Sequence, residues 1–402
     1  MKEVLIKEYN NLEQLNIPFK KESYSFNIHF VEGGFIEILG RDKSKEFLVQ
    51  FINQDNGELI YENTLTPGMW AKTSIKYFIN FLIQVTDLST NEIVHNYRYN
   101  AKNKRVYIHL DSSAIGDTLA WFPYIEEFRK KHNCEMVCST FHNEWFKTEY
   151  PEIEFVEPGT PVNNLYAMYS IGWHYNEDNT FNSEYNPTDF KTYGLQECSA
   201  DVLGIDYKEI KPKLSFRKTL QINPIEGKYV VIAPHGSAHA KYWNRPGGWQ
   251  AIIDYLNNQG YKVVMITSEP LGDEWHDSKL GGTLTGVIDK TGDHLLEDRA
   301  TDMMNAEFFI GIGSGLSWLN WALGGKTVLI SGFSDPFSEF TDCERVFTPS
   351  SSICNSCFNK TRLDAGDWEW CPEHKNTERH FECTKTITPN MVIEAIERVR
   401  NS

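Results

Sequence analysis

The spacing of apolar positions changes character twice along this chain. Up to about residue 103 they fall in short, partly alternating runs: FNIHFVEGGFIEILG, KEFLVQFINQDNGELIYEN and YFINFLIQVTDLSTNEIVHNYRYN. These are dense in Phe, Ile, Val and Tyr and are broken by Gly33-Gly34, Asn56-Gly57 and Asp87–Asn91, which predicts strands joined by hairpins. Lys102–Arg105 reads as a short basic hinge. From Val106 the run VYIHLDSSAIGDTLAWFPYIEEFRKKHNCEMVCST predicts a strand, a turn holding Ser112, Ser113, Gly116 and Asp117, a helix and a second strand. The helix face Leu119, Phe122, Tyr124, Ile125 and Phe128 fits a period of 3.6 loosely. Residues 151–205 are acidic, aromatic and Asn-rich, with no regular period.

Strand–helix alternation returns at Tyr229. Tyr229–Ala233 is a fully apolar strand, followed by the turn Pro234-His235-Gly236-Ser237, the cations Lys241 and Arg245, and a helix through Trp249–Leu256. YKVVMIT and GVIDKTG are further strands. The segment FFIGIGSGLSWLNWALGGKTVLISGF (Phe308–Phe333) then reads as strand, glycine-rich turn, helix and strand. In such a βαβ unit the turn presents backbone N–H groups to an anion at a helix N-terminus, and the glycines permit close approach. The plainer alternative for Gly311, Gly313 and Gly315 is a tight turn, and for Lys241 and Arg245 a surface loop. Two anion-friendly turns in one domain favour a phosphate crevice. A last helix spans Asn390–Arg400 and is expected to pack back across the domains.

These elements give an α/β chain with two Rossmann-like domains behind a β-rich leader: residues 1–103, 104–215 and 216–402. The 402 residues suffice for two or three domains. A net charge of −16 argues against a nucleic-acid partner and against a polybasic membrane anchor. No apolar run approaches the length of a membrane span. The start MKEVLIKEYNNLEQL is too polar for a signal peptide, so a cytoplasmic location is expected and structural disulfides among the eight cysteines are not.

Cys354, Cys357, Cys371 and Cys383, within the segment 350–385, open with a C-x2-C knuckle and suit a tetrahedral metal site. Asn355 and Ser356 would let backbone amides turn toward the sulfurs. His374 and His380 could each replace one thiolate, and four sulfurs suit iron or zinc equally. Inert buried thiols or disulfides are the alternatives. No coordination position is left open, so the site reads as structural. Cys134, Cys138, Cys198 and Cys343 read as ordinary buried thiols. Trp243, Trp249, Trp318 and Trp321 flank the two anion turns; they are either core or an aromatic wall that stacks a base or sugar.

The turn Ile115-Gly116-Asp117-Thr118, the APHGS…K turn and the GSGLSWLNWALG turn together resemble the ADP-heptose-dependent heptosyltransferases, two-Rossmann-domain enzymes of the GT-B type. The β-rich leader, Trp318 and the four cysteines resemble the autotransporter branch of that family. The resemblance covers nearly the whole chain, most strongly 106–385. It implies O-glycosylation of serines on autotransporter adhesins, an iron ion on four cysteines, and assembly into large rings. It places the catalytic aspartate on Asp117, the phosphate-contacting lysine on Lys241, and the donor turn on Gly313, Ser314, Gly315 and Leu316. It places the iron ligands on Cys354, Cys357, Cys371 and Cys383. Ser237 joins Lys241 in the donor site.

Inverting transfer needs a base at the acceptor hydroxyl and positive charge at the departing diphosphate. Asp117 is the candidate base and Asp111 the second choice; an N-cap role is the bland alternative for either. No DxD-like pair stands at a strand end, so no catalytic magnesium is expected. The acceptor side, His174–Thr192, matches no particular acceptor. Another nucleotide sugar, a lipopolysaccharide or flagellin-like acceptor, or a non-catalytic sugar-nucleotide binding protein are the competing readings. The absence of a basic or amphipathic membrane face favours a protein acceptor.

Overall fold

The computed structural model describes residues 24–218 and 225–401. The first twenty-three residues of the leader and the stretch 219–224 therefore lie outside the described residues. The leader supplies β1 (Ser25–Val31), β2 (Phe35–Leu39), β3 (Phe47–Asn53), β4 (Leu59–Leu65), β5 (Trp70–Lys72), β6 (Phe81–Asp87) and β7 (Glu92–Arg98). All three hairpin signals join antiparallel neighbours: β1–β2 at Gly33-Gly34, β3–β4 at Asn56-Gly57, and β6–β7 at Asp87–Asn91. Gly33 and Gly57 have φ of +116° and +75°, backbone that L side chains rarely adopt. In the last turn the Asp87 carboxylate accepts from Ser89 N and Oγ at 2.8 and 2.6 Å.

The first α/β unit contains β8 (Arg105–Leu110), α1 (Ile115–His132), β9 (Glu135–Ser139), β10 (Ile153–Phe155), β11 (Ala167–Ile171) and α2 (Leu195–Val202). Its sheet does not stop at residue 104. Strand order is β10-β9-β8-β11-β1-β2-β5, with β1 parallel to β11 through Phe30–Ala167. Three leader strands thus extend the first Rossmann-like sheet, while β4-β3-β6-β7 form a separate antiparallel sheet. A leader read as one independent domain missed this because β1 alternates like any half-buried strand, and pairing partners are not encoded in alternation. Nor is Lys102–Arg105 a free hinge. Asn103 N donates to Asn133 O, Glu135 N donates to Lys104 O, and Arg105 already belongs to β8.

Helix α1 is buried on nearly every side from Gly116 to Ile125 because β8, α2 and a helix of the second unit surround it. That explains its loose amphipathic pattern: a helix covered all round has no polar stripe to reveal its period. Asp117 sits inside its first turn, after the extended N-cap Ala114, and so is not the cap residue.

The second unit contains β12 (Tyr229–Ala233), α3 (Gly248–Asn258), β13 (Lys262–Met265), α4 (Glu274–Leu280), β14 (Val287–Asp289), α5 (Leu296–Met304), β15 (Phe309–Ile312), α6 (Gly315–Leu323), β16 (Thr327–Ile330), β17 (Glu344–Val346), α7 (Glu382–Lys385) and α8 (Pro389–Asn401). Six parallel strands run in the order β14-β13-β12-β15-β16-β17. Every residue of β12, β15 and β16 is buried, as expected for parallel strands covered on both faces. Gly324, at φ +81°, ends α6. The apolar face of α8 (Val392, Ala395, Ile396, Val399) packs in the second unit's core, where the sequence suggested a brace across both domains. Trp243 and Trp249 belong to that core, fully buried, with ring centroids 5.5 Å apart. Trp243 Nε1 donates to Ile387 O at 3.0 Å. They are packing residues, each costing about 3–5 kcal/mol on truncation to alanine, and not a wall for a base.

Candidate active site

A cleft of about 470 Å³ opens where the carboxyl ends of β8 and β11 face those of β12, β13 and β15. In open α/β sheets, ligands bind outside the carboxyl ends of the strands. The cleft collects Asp117, Ser237, Lys241, Gly313, Ser314, Gly315 and Leu316. Asp111 and Arg245 are not among its lining residues. Asp111 is exposed and lies by Gly172 and His174, while Arg245 Nη1 donates to Lys385 O at 3.2 Å, on the C-terminal segment. Of the four tryptophans, only Trp318 reaches the cleft. Trp321 is buried and donates its indole N–H to Glu209 Oε1 at 2.8 Å.

Asp117 is held from the first unit. Its Oδ2 accepts from Ser112 Oγ at 2.6 Å and from Trp173 Nε1 at 2.9 Å. Burial raises its pKa above the usual carboxylate range, opposed by those two hydrogen bonds and by the Lys241 charge. Lys241 enters from the second unit, on the short turn His239–Lys241, with Nζ 3.1 Å from Ser237 Oγ. Burial lowers its pKa, opposed by Asp117 and Glu339. A carboxyl group and an amine whose pKa values burial moves toward each other thus line one cleft from opposite units.

The second unit also presents groups that lack protein partners. Ser314 is the extended N-cap of α6, yet its Oγ caps nothing and is buried without a hydrogen bond. The first N–H groups of a helix have no intrahelical acceptor, so Ser314, Gly315 and Leu316 form an anion-accepting end. His235 is buried, bonded through Nδ1 to Thr267 Oγ1 at 3.3 Å, while its Nε2 has no partner. Burial lowers its pKa to about 4, so it is neutral. Orphaned polar atoms at strand ends suit a ligand bearing phosphate and hydroxyl groups.

The glycines divide their tasks. A Cβ on Gly313 would stand 2.7 Å from Glu339 Oε1, and one on Gly315 would stand 2.7 Å from Ile115 Cβ. Gly315 therefore serves the approach of α6 to α1 as much as any ligand. Glu339 pairs with Arg345 and accepts from Ser334 Oγ at 2.6 Å. Sequence reasoning missed Glu339, Glu269 and Trp173, all of which line the cleft. Trp173 carried a usable signal: Gly172-Trp173 directly follows the apolar run AMYSI, the strand β11 that went unread.

The cysteine segment closes one side of the cleft through Phe358 and Leu363. Cys357 lies next to Cys354, Cys371 and Cys383; burial and the neighbouring sulfurs push its thiol pKa up. Cys383 is pushed up to about 12 by burial and by Cys371 and Cys354. All eight cysteines are free, so the disulfide alternative is not adopted. Among the described residues, no three Cys, His, Asp or Glu side chains stand in an arrangement that would hold a metal ion. The expected four-cysteine site is thus a cluster of neighbouring thiols and not a ligand set at bonding distance. Protonated thiols gain little by closing further; a cation is what draws thiolates together. His374 Nε2 lies 3.8 Å from Glu382 Oε1, and His380 Nε2 lies 3.2 Å from Glu369 O, so neither is committed to the sulfurs. Ser356 has φ +64° as the knuckle requires, but its N–H donates to Gly332 O.

The family model of glycosyltransferase family 9 (heptosyltransferase) matches residues 194–357. The autotransporter heptosyltransferase BAHTCr of Citrobacter rodentium (strain ICC168) is 35% identical over 362 residues, 88% of this chain and 85% of its own. A crystal structure of TibC from enterotoxigenic Escherichia coli H10407, described as an iron-containing dodecameric glycosyltransferase, superposes with a TM-score of 0.82 at 31% identity. It covers 96% of this chain and 98% of its own. TibC in complex with ADP-D-beta-D-heptose superposes at 0.81 and 31% identity, covering 94% and 96%. BimC of Burkholderia thailandensis, described as an inactive autotransporter heptosyltransferase, is 31% identical over 85% of this chain and 78% of its own. No described helix is long and apolar enough to cross a membrane. On these likenesses, and with the two-unit α/β fold and its cleft, the chain belongs to the autotransporter heptosyltransferases, and it is a glycosyltransferase.

Proposed function

We propose that this enzyme transfers heptose from ADP-heptose to serine hydroxyls of an autotransporter adhesin, with inversion, and that Asp117 is the general base. The observation that carries the reading is the opposition of Asp117 and Lys241 across one cleft, beside the partnerless Ser314 Oγ and His235 Nε2. The serine Oγ attacks the anomeric carbon while the bond from that carbon to the β-phosphate oxygen breaks. Asp117 takes the hydroxyl proton, and the electron pair leaves on ADP. Lys241, Ser237 and the α6 N-terminus at Gly313–Leu316 meet the growing diphosphate charge, the task a divalent cation performs in other transferases.

Iron on Cys354, Cys357, Cys371 and Cys383 is part of the same reading, supported by the clustering of the four sulfurs and by the description of TibC as iron-containing. The ion would staple the segment 350–385 and takes no part in the transfer. The TibC dodecamer supports a homo-oligomer, and eight free thiols suit a reducing, cytoplasmic setting.

Titration calorimetry with ADP-heptose and UDP-glucose, followed by mass spectrometry and anomeric NMR of an adhesin passenger fragment, tests the reading. Saturable binding of ADP-heptose alone and an α-linked heptosyl-serine from the β-donor are expected. A preference for the uridine donor overturns the donor assignment. A retained β-linkage overturns inversion. Binding of ADP-heptose without transfer to the fragment overturns the adhesin acceptor.

A further inference from the structure

Two donors converge on a single oxygen of Asp117. Ser112 Oγ and Trp173 Nε1 both bond Oδ2, at 2.6 and 2.9 Å, and no hydrogen bond among the described residues reaches Oδ1. We propose that Trp173 is a positioning residue of the base: with Ser112 it saturates Oδ2, so that Oδ1 is the oxygen that takes the acceptor proton. The proposal rests on Asp117 being the base.

The indole is itself fixed from three directions. Its ring lies 5.5 Å from Trp121 on α1, 5.0 Å from Phe190 on the acceptor-side loop, and 5.8 Å from Phe358 of the cysteine segment. Two further ties join that segment to the loop. Asn359 Nδ2 donates to Lys191 O at 2.9 Å, and the Arg362 guanidinium lies 4.3 Å over Tyr175 while donating to Asn179 Oδ1. The cysteine segment therefore backs the residue that aims the base, which gives a structural staple a route to turnover. A hydrogen bond to an ionised carboxylate favours the ionised form, so both donors also keep Asp117 available as a base at lower pH. The other ionisable groups facing this carboxylate are Lys241 from the opposite unit, itself facing Glu339, and Cys198 on α2.

The test is the pH dependence of kcat for the full-length enzyme carrying Trp173→Phe, which keeps an aromatic ring and removes the N–H. About a tenfold loss of kcat is expected, as for one hydrogen bond to a charged group. The acidic limb should move to higher pH, with the KM for ADP-heptose unchanged. Ser112→Ala should do the same and Ser112→Thr should restore the wild-type limb, which carries the test if Trp173→Phe fails to fold. A Trp173→Phe profile overlaying the wild type, with Asp117→Asn inactive at every pH, overturns the positioning role alone. Turnover by Asp117→Asn overturns the base assignment and this proposal with it.

Discussion

Gly315 of α6 approaches Ile115 of α1 so closely that a Cβ on the glycine would stand 2.7 Å from Ile115 Cβ and 3.3 Å from Gly116 N. Gly116 returns the favour, since its own Cβ would meet the Trp318 ring at 3.0 Å. Two helix N-termini from different units thus touch beside Asp117 and the glycine-rich turn Gly313–Leu316. Forcing a methyl group into such a contact typically costs about 1–3 kcal/mol. Gly315→Ala should therefore widen the cleft, raising the KM for ADP-heptose and lowering kcat about tenfold together. Steady-state kinetics beside a thermal melt would check this. A melt that collapses while kinetics stay normal would place the strain elsewhere.

The pH profile of turnover should be pinched from both sides. As the proposed base Asp117 must be ionised to accept a proton, and burial raises its pKa, so activity should set in above the ordinary carboxylate range. Lys241 must be charged to meet phosphate, and burial lowers its pKa, so activity should fall at a lower pH than for a free lysine. A kcat/KM profile from acid to alkali measures both limbs.

Removing Lys241 should act on donor and base at once. Lys241→Met deletes a charged donor worth about 1.5–3 kcal/mol, so affinity for ADP should fall roughly 10- to 100-fold by calorimetry. The same change removes a cation that lowers the Asp117 pKa, so the acidic limb should move upward. Unchanged ADP affinity would take Lys241 out of the donor site.

Cys357→Ser should lower the iron content of purified protein and its thermal stability together. A structural metal site contributes directly to folding. A loss of a few kcal/mol corresponds to about 5–10 °C in Tm for units of this size. Metal analysis showing full stoichiometry in the variant would remove Cys357 from the ligand set.

Acid should unfold this protein through its histidines as well as its carboxylates. Burial pushes His29, His132, His174 and His235 down to about 4, and the Nε2 atoms of His132 and His235 are buried without partners. An unfolded histidine takes its proton near pH 6.5, so between about 6.5 and 4 the unfolded chain binds more protons than the folded one. Stability is full above pH 6.5 and should decline steadily as pH falls toward 4. Melts across that range check the slope, and His235→Gln should flatten part of it.

Much of the second unit was legible in the chain. Tyr229–Ala233 and Thr327–Ile330 are strands as read, and Gly315–Leu323 is the helix expected after the glycine-rich turn. Buried parallel strands are written as unbroken apolar runs, and helix ends carry their own glycine, so both are local signals. The family resemblance picked out Asp117, Lys241 and Ser314, which the fold brings to one cleft, and the C-x2-C opening picked out the four cysteines. Tertiary structure alone decided that β1, β2 and β5 complete the first sheet, that Arg245 and Asp111 stay out of the cleft, and that Trp243 is core. It also decided that Trp173, fifty-six residues from Asp117, holds the carboxylate. Periodicity reports which face of an element is buried; it carries no record of which distant element buries it, and the site lies where two such faces meet.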